Sequence, residues 1–232
     1  MSVIGIIPAR YGSTRFPGKP LAMIGTKTMI HRTYEQVLKS SLDAAVVATD
    51  DQRIFDEVMS FGGKVVMTRA DHQSGTDRCR EALDLVGGGY DAVVNIQGDE
   101  PFIDPAQINQ VADLIRRDDT CLATLAKRIT DPAKLDNPNV VKVVFDHEGN
   151  ALYFSRLPID HYHHIGIYAY KADTLRTIAA LPMGRLERAE RLEQLRWLEN
   201  GLRIRVAVTE VHDNISIDTP QDLLNIPKEL CQ

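Results

Sequence analysis

Hydrophobic positions in the first half of the chain fall into short unbroken runs separated by amphipathic stretches. Val3-Ile4-Gly5-Ile6-Ile7, Ala44-Ala45-Val46-Val47-Ala48, Lys64-Val65-Val66-Met67 and Ala92-Val93-Val94-Asn95-Ile96 read as strands over 3–8, 44–48, 64–67 and 92–96. Runs this continuous suit strands buried on both faces, as in a parallel sheet covered by helices. Between them, 28–40, 51–60 and 76–86 carry helical spacing, with Asp50 or Asp51 and Thr76 as N-caps. Pro105 opens a further helix over 105–117, since proline fits a first helical turn. Strand and helix alternate with short connections, the pattern of an α/β fold.

Beyond residue 120 the period changes. Strand-like runs at 121–126, 139–145, 151–154 and 164–170 follow one another closely, with Asn137-Pro138 and Glu148-Gly149-Asn150 as turns. A helix over 186–199 carries the apolar stripe Leu186, Ala189, Leu192, Leu195 and Leu198 and closes at Gly201. A strand at 203–209 and a last helix from Thr219 complete the pattern. A β-rich insert of this kind caps a nucleotide fold or builds a dimer face. The expectation is one domain over 1–232, with 1–120 and 203–232 as its core and 121–202 as a subregion.

Composition narrows the classes. The 232 residues are 44% hydrophobic and 25% charged, enough for a substantial core. A net charge of −5 argues against a nonspecific nucleic-acid partner, which needs a basic face. Cys79, Cys121 and Cys231 are widely spaced and form no CxxC pair, which points to a reducing compartment without disulfides or a zinc site. No apolar run approaches the roughly 18 residues that span a membrane. The start has neither a basic n-region nor an h-region. A cytoplasmic protein is expected.

The chemistry gathers where strands end. The first strand runs into Pro8-Ala9-Arg10-Tyr11-Gly12-Ser13-Thr14-Arg15-Phe16-Pro17-Gly18-Lys19-Pro20. Its glycines let backbone N–H groups close on anionic oxygens, while Arg10, Arg15 and Lys19 supply charge suited to a polyphosphate. This is not a Walker A loop: five residues separate Gly12 from Gly18, and Pro20 stands where Ser or Thr would bind magnesium. No GxGxxG follows the strand, and Gly87-Gly88-Gly89 reads as a turn. Gln97-Gly98-Asp99-Glu100-Pro101 follows the fourth strand, placing Asp99 at a sheet's carboxyl edge. Asp218, in Ser216-Ile217-Asp218-Thr219-Pro220, is its candidate partner for Mg²⁺, although helix capping accounts for Asp218 almost as well. Arg69-Ala70-Asp71-His72-Gln73-Ser74-Gly75-Thr76-Asp77-Arg78 is dense in donors and acceptors that could read a base or ribose, with His72 more structural than catalytic. In the insert, Asn137-Pro138-Asn139-Val140-Val141-Lys142 and Tyr153-Phe154-Ser155-Arg156 form a second polar set. Arg156 suits bidentate capture of a carboxylate. His164 and Tyr168, four apart in a strand, face one side. His161, His163 and His164 hint at a metal, but they come from one stretch without a fixed carboxylate.

Taken together, the 8–20 segment, the HQSGTDR and QGDEP segments, Tyr153-Phe154-Ser155-Arg156, His164-Ile165-Gly166-Ile167-Tyr168, Leu192-Glu193-Gln194-Leu195-Arg196 and Asp218-Thr219-Pro220 closely resemble the 3-deoxy-manno-octulosonate cytidylyltransferases, or CMP-Kdo synthetases. The resemblance covers nearly the whole chain; the first motif alone is shared with other sugar cytidylyltransferases. It implies a nucleotide-diphospho-sugar transferase fold, Rossmann-like, with a mixed, mainly parallel sheet, helices on both faces and a β-rich sugar-binding and dimerisation insert. It implies a homodimer, and Mg²⁺-dependent transfer of CMP from CTP to the anomeric hydroxyl of Kdo with release of pyrophosphate. By the same resemblance, Arg10, Arg15 and Lys19 hold the triphosphate and Asp99 and Asp218 hold magnesium. Ala9, Arg69, Ser74 and Gln97 surround the nucleotide, Gln97 also reaching the sugar. Arg156, His164, Tyr168, Glu193 and Gln194 line the sugar site. One departure stands out. Seven residues separate Arg156 from His164, where the family carries a longer loop with further sugar contacts, so closure over the sugar should be less complete. Two alternatives stand beside this reading: a cytidylyltransferase for another acidic sugar of the sialic acid type, and a nucleotide-binding protein that has lost catalysis.

Overall fold

The computed structural model describes residues 1–12, 16–211, 215 and 217–231. The chain forms two compact units, Met1–Asn109 with Val211–Gln232, and Gln110–Glu210. In the first unit β1 (Val3–Ala9) leads through the two-residue strands β2 (Met23–Ile24) and β3 (Lys27–Thr28) to α1 (Met29–Leu38). Then come β4 (Ala44–Thr49), α2 (Gln52–Ser60), β5 (Val65–Met67), α3 (Gly75–Val86), β6 (Ala92–Asn95) and α4 (Pro105–Ile115). The strands lie in the order β6-β1-β4-β5, all parallel. Ile4, Ile6 and Ile7 on β1, Val46 and Val47 on β4 and Val93 and Val94 on β6 are buried, as their unbroken apolar runs require.

Local chemistry sets the helix starts. Thr28 caps α1 and Asp51 caps α2, each accepting a backbone N–H of the first turn. The third helix starts one residue earlier than the spacing suggests. Ser74, not Thr76, is its N-cap, in a capping box with Asp77. The short hairpin β2–β3 has too few residues to show a period.

In the second unit the elements are β7 (Leu122–Arg128), α5 (Pro132–Asp136), β8 (Lys142–Phe145), β9 (Ala151–Ser155), β10 (Tyr162–Lys171), α6 (Ala172–Ala179), α7 (Arg185–Glu190), α8 (Gln194–Glu199) and β11 (Arg205–Val208). β7 is the spine, parallel to β11 and antiparallel to β10, while β8 and β9 form an antiparallel hairpin. The run read as a strand over 139–145 is paired only from Lys142, because Pro138 and the turn at Asn137–Val140 occupy its first residues. The helix read over 186–199 is two helices. Arg191 adopts the left-handed region, φ 57°, which breaks the i→i−4 ladder between α7 and α8. Of the expected stripe, Leu192 and Leu195 are buried, Leu186 and Leu198 partly so, and Ala189 is exposed. Arg196 of α8 reaches back to Glu187 of α7 through two hydrogen bonds of 2.7 and 2.6 Å. The chain ends in the first unit with α9 (Pro220–Leu224).

Candidate active site

Because β1, β4, β5 and β6 run the same way, the loops after them open on one edge of the sheet, where open α/β sheets bind ligands. There, residues 8–10, 19–20, 72–75, 78, 97–99 and 218 line a cleft of about 240 Å³. Backbone crowding shapes it. A Cβ on Gly98 would lie 3.0 Å from the carbonyl oxygen of Pro8, so a side chain there would push the two loops apart. Gly18 closes the base of the cationic loop, donating its N–H to the carbonyl of Tyr11 at 2.9 Å with φ 72°, a conformation glycine adopts without penalty.

At the cleft's centre Lys19 is buried and its Nζ donates to Asp99 Oδ2 at 2.7 Å and to Asp218 Oδ1 at 3.2 Å. Asp218 arrives from a remote part of the chain. Ile24, Met29, Ile217 and Ile226 form a small apolar cluster with Phe16, Phe102 and Leu223 against it, which seats the returning segment beside the loop. The N–H of Ile217 also meets the carbonyl of Asp99 at 3.4 Å. Capping falls to another residue. The carboxylate of Asp222 accepts the N–H groups of Asp218 and Thr219 and the Thr219 hydroxyl. Those backbone donors hold its pKa below the usual carboxylate range. Asp218 therefore turns to Lys19 and not to the helix. Two half-exposed carboxylates against one ammonium leave the trio net negative, and hard carboxylate oxygens beside a cationic loop suit a divalent cation such as Mg²⁺. Among the described residues no group of three or more His, Cys, Asp or Glu is arranged to hold a metal.

Ala9, Arg10, Ser74 and Gln97 also line the cleft. The Ser74 hydroxyl accepts the N–H of Asp77 at 3.1 Å, and Gln97 Nε2 donates to Asn95 Oδ1 at 3.4 Å. Arg69 does not line it; its exposed guanidinium pairs with Asp71. Arg15 lies outside the described residues. Two further cleft residues come from the HQSGTDR segment: Arg78, which had no role assigned by sequence, and His72, read there as more structural than catalytic. Buried Arg78 donates to Thr68 Oγ1 at 2.5 Å, to the Arg69 carbonyl and to Asp50, and so fixes the segment to the sheet edge. His72 is bonded to Glu81, whose carboxylate also accepts the Arg69 N–H. Burial raises the Glu81 pKa, but those bonds outweigh it and the net shift is downward.

In the second unit Arg156 directly follows β9, His164 and Tyr168 lie on β10, and Glu193 and Gln194 lie at the α7–α8 break. The rings of His164 and Tyr168 lie 5.1 Å apart although a register shift separates them along β10, so they share a face. Thr124 Oγ1 sits 2.9 Å from His164 Nε2. Desolvation, with His163 adding to it, pushes the His164 pKa down to about 3, so the imidazole is neutral at physiological pH. Burial, Tyr170 and Glu193 push the Tyr168 phenol well up. Glu193 lies in the connection that the left-handed Arg191 creates, and buried Gln194 begins α8. The Arg156 guanidinium donates only to carbonyl oxygens, Nη1 to Pro138 at 3.1 Å and Nε to Glu190 at 3.3 Å. Among the described residues no carboxylate pairs with it.

A parallel sheet with a cationic loop and two aspartates at its carboxyl edge suits a nucleotidyltransferase, and the relatives of this chain are such enzymes. The chain belongs to the cytidylyltransferase family, whose model matches residues 4–204. A 3-deoxy-manno-octulosonate cytidylyltransferase of Bacteroides thetaiotaomicron is 55% identical over 241 residues, covering 96% of each chain. That alignment is longer than this 232-residue chain, so the relative carries residues with no counterpart here. An 8-amino-3,8-dideoxy-manno-octulosonate cytidylyltransferase of Shewanella amazonensis is 51% identical over 236 residues, again 96% of each. Among solved structures, a CMP:2-keto-3-deoxy-manno-octonic acid synthetase complexed with CTP superposes with a TM-score of 0.92 and 41% identity, over 97% of this chain and 96% of that one.

Proposed function

We propose that this enzyme transfers CMP from CTP to the anomeric hydroxyl of Kdo, releasing pyrophosphate and supplying activated sugar for lipopolysaccharide in the cytoplasm. The observation that carries the reading is the Lys19–Asp99–Asp218 trio at the carboxyl edge of the sheet, in a chain 55% identical to a relative of that name. In-line attack on the α-phosphorus expels pyrophosphate, so the chain must stabilise negative charge on both sides of that atom. Arg10, Arg15 and Lys19 grip the triphosphate, Lys19 exchanging its carboxylate partners for phosphate oxygens. Asp99 and Asp218 would hold Mg²⁺. That ion would neutralise the phosphates and favour ionisation of the attacking hydroxyl. Ala9, Ser74, Gln97 and Arg69 attend the nucleotide. Arg156 clamps the sugar carboxylate, with neutral His164, Tyr168, Glu193 and Gln194 along the sugar and Gln97 reaching it. Neither His164 nor Tyr168 titrates near neutrality, which supports a mechanism without a dedicated side-chain base. Residues 121–202 serve sugar binding and a homodimer, and 1–120 with 203–232 serve the nucleotide.

A second reading has its own support, since a relative acting on the 8-amino sugar acid is nearly as similar. Pyrophosphate release from CTP and Mg²⁺, with Kdo, its 8-amino analogue or N-acetylneuraminate as acceptor, separates the readings. Turnover with Kdo is expected. Turnover with the amino sugar alone moves the assignment to that substrate. Turnover with the sialic acid alone, or with none of the three, refutes it.

A further inference from the structure

The second unit buries one ammonium for which this reaction has no use. Lys142 begins β8 with 0% exposure, in a run of valines where any apolar residue would satisfy the strand. Its Nζ donates to three main-chain carbonyls, those of Asn137 and Val140 at 2.8 Å and that of Arg156 at 2.9 Å. An ammonium has three protons, so all are engaged by backbone oxygens. Burial pushes its pKa down, Asp136 pulls it up, and nearby Arg156 adds to the downward push. A charge withdrawn from water with no carboxylate partner is expensive to keep.

What the three carbonyls have in common is Arg156. One belongs to it. The other two flank Pro138 in the segment whose own carbonyl accepts Arg156 Nη1. On the far side Glu190 holds the same residue, its carbonyl accepting Nε and its carboxylate the Arg156 N–H and the Ser155 hydroxyl. The guanidinium is thus aimed from two sides by oxygens that leave its charge intact.

We infer that Lys142 is a positioning residue for the acidic end of the sugar. It ties the 137–140 segment to the Arg156 carbonyl, and so holds the guanidinium where the substrate carboxylate arrives. Its own charge, behind Arg156, adds to the attraction an incoming carboxylate feels. The inference rests on the reading of Arg156 as the carboxylate clamp.

Steady-state kinetics on Lys142→Met, Arg156→Gln and the double variant test it. Methionine keeps the length of the side chain and removes the donors. For Lys142→Met the KM for Kdo should rise about tenfold, with the KM for CTP within about twofold and kcat within about threefold. Added to Arg156→Gln, which itself raises the Kdo KM, Lys142→Met should change it by less than about twofold, because a positioning residue acts through the group already removed. An unchanged Kdo KM in Lys142→Met, with Arg156→Gln impaired, overturns the inference and leaves the clamp standing. An unchanged Kdo KM in Arg156→Gln overturns the clamp itself. Full additivity in the double variant assigns Lys142 to general support and overturns its positioning role. Should Lys142→Met fail to bind CTP by calorimetry, Lys142→Gln, which keeps an N–H donor, replaces it. Loss of CTP binding in both makes the residue a folding requirement and overturns the inference.

Discussion

Replacing Asp218 by Asn changes the charge at the cleft's centre with little change in shape. The Lys19 Nζ to Asp218 Oδ1 distance of 3.2 Å corresponds to roughly 5 kcal/mol of attraction at an effective dielectric of 20. The Asp218 side chain is 45% exposed, however, so solvent screens the pair to a net worth of under about 1 kcal/mol. Lys19 also keeps its shorter bond to Asp99, 2.7 Å. The fold and CTP binding should therefore survive. The metal should not be held as well, because the trio changes from net negative to neutral and one of its two hard ligands weakens. Turnover at limiting Mg²⁺ should fall at least about tenfold, a loss of about 1.4 kcal/mol, with half-saturating Mg²⁺ raised to match. The assay is pyrophosphate release across a Mg²⁺ titration, beside CTP binding by calorimetry. Asp222→Ala is the control: it removes the acceptor of three capping bonds, so it should lower the melting temperature and leave the Mg²⁺ requirement alone. Wild-type turnover and Mg²⁺ dependence in Asp218→Asn would refute the ligand role.

Glu187→Gln should destabilise the second unit by about 3–5 kcal/mol, since it leaves the Arg196 guanidinium buried without its carboxylate; a melting temperature within a degree or two of wild type would contradict this. Gly98→Ala should lower turnover several-fold by forcing the Asp99 loop off the Pro8 carbonyl, read in the same pyrophosphate assay, and unimpaired turnover would show that the loops can separate freely. His164 has a pKa of about 3 in the folded chain against about 6.5 when unfolded. The unfolded state therefore takes the proton first, and this residue's contribution is complete above pH 6.5 and lost as pH falls toward 3. Urea midpoints between pH 6.5 and 5 should fall more steeply in wild type than in His164→Gln; equal slopes would mean that the ring is not shielded from protonation.

The sheet of the first unit was legible because its strands are apolar on both faces, a signal that needs no knowledge of their neighbours. The cleft followed from it, since Lys19 and Asp99 each stand directly after such a strand or in its loop. Asp218 was ambiguous for a definite reason. Its neighbours Thr219 and Asp222 build the cap, and only the packing of Ile217 and Ile226 on Met29 decides which aspartate is left for Lys19. In the second unit, strand boundaries moved where turns compete with pairing, as at Pro138, and α5, α6 and the α7–α8 break were missed. A five-residue helix has too few positions to show a period. The break depends on a left-handed Arg191, which no propensity signals in a residue other than Gly, Asn or Asp. Lys142 did leave a trace, as a charge in a valine run, and Arg78 and His72 lay within a segment already singled out. What sequence could not supply was the partner of each.

Those partners sort the buried and half-buried cations by task. Arg196 and Arg78 are matched by carboxylates, Glu187 and Asp50, and each fastens one segment to another. Lys19 is matched twice, so it rests in a site with attraction left over for a second cation. Among the described residues the Lys142 ammonium and the Arg156 guanidinium donate to carbonyls and to no carboxylate. A carbonyl dipole fixes the position of a cation without cancelling its charge, whereas a carboxylate does both. A cation meant to greet an anionic substrate should therefore be oriented by dipoles, and one meant to hold the fold should be neutralised. On that reasoning, placing a carboxylate directly against the Arg156 guanidinium would preserve its geometry and still weaken the sugar acid's binding, because what the site offers the substrate is the charge that the guanidinium's present carbonyl partners leave in place.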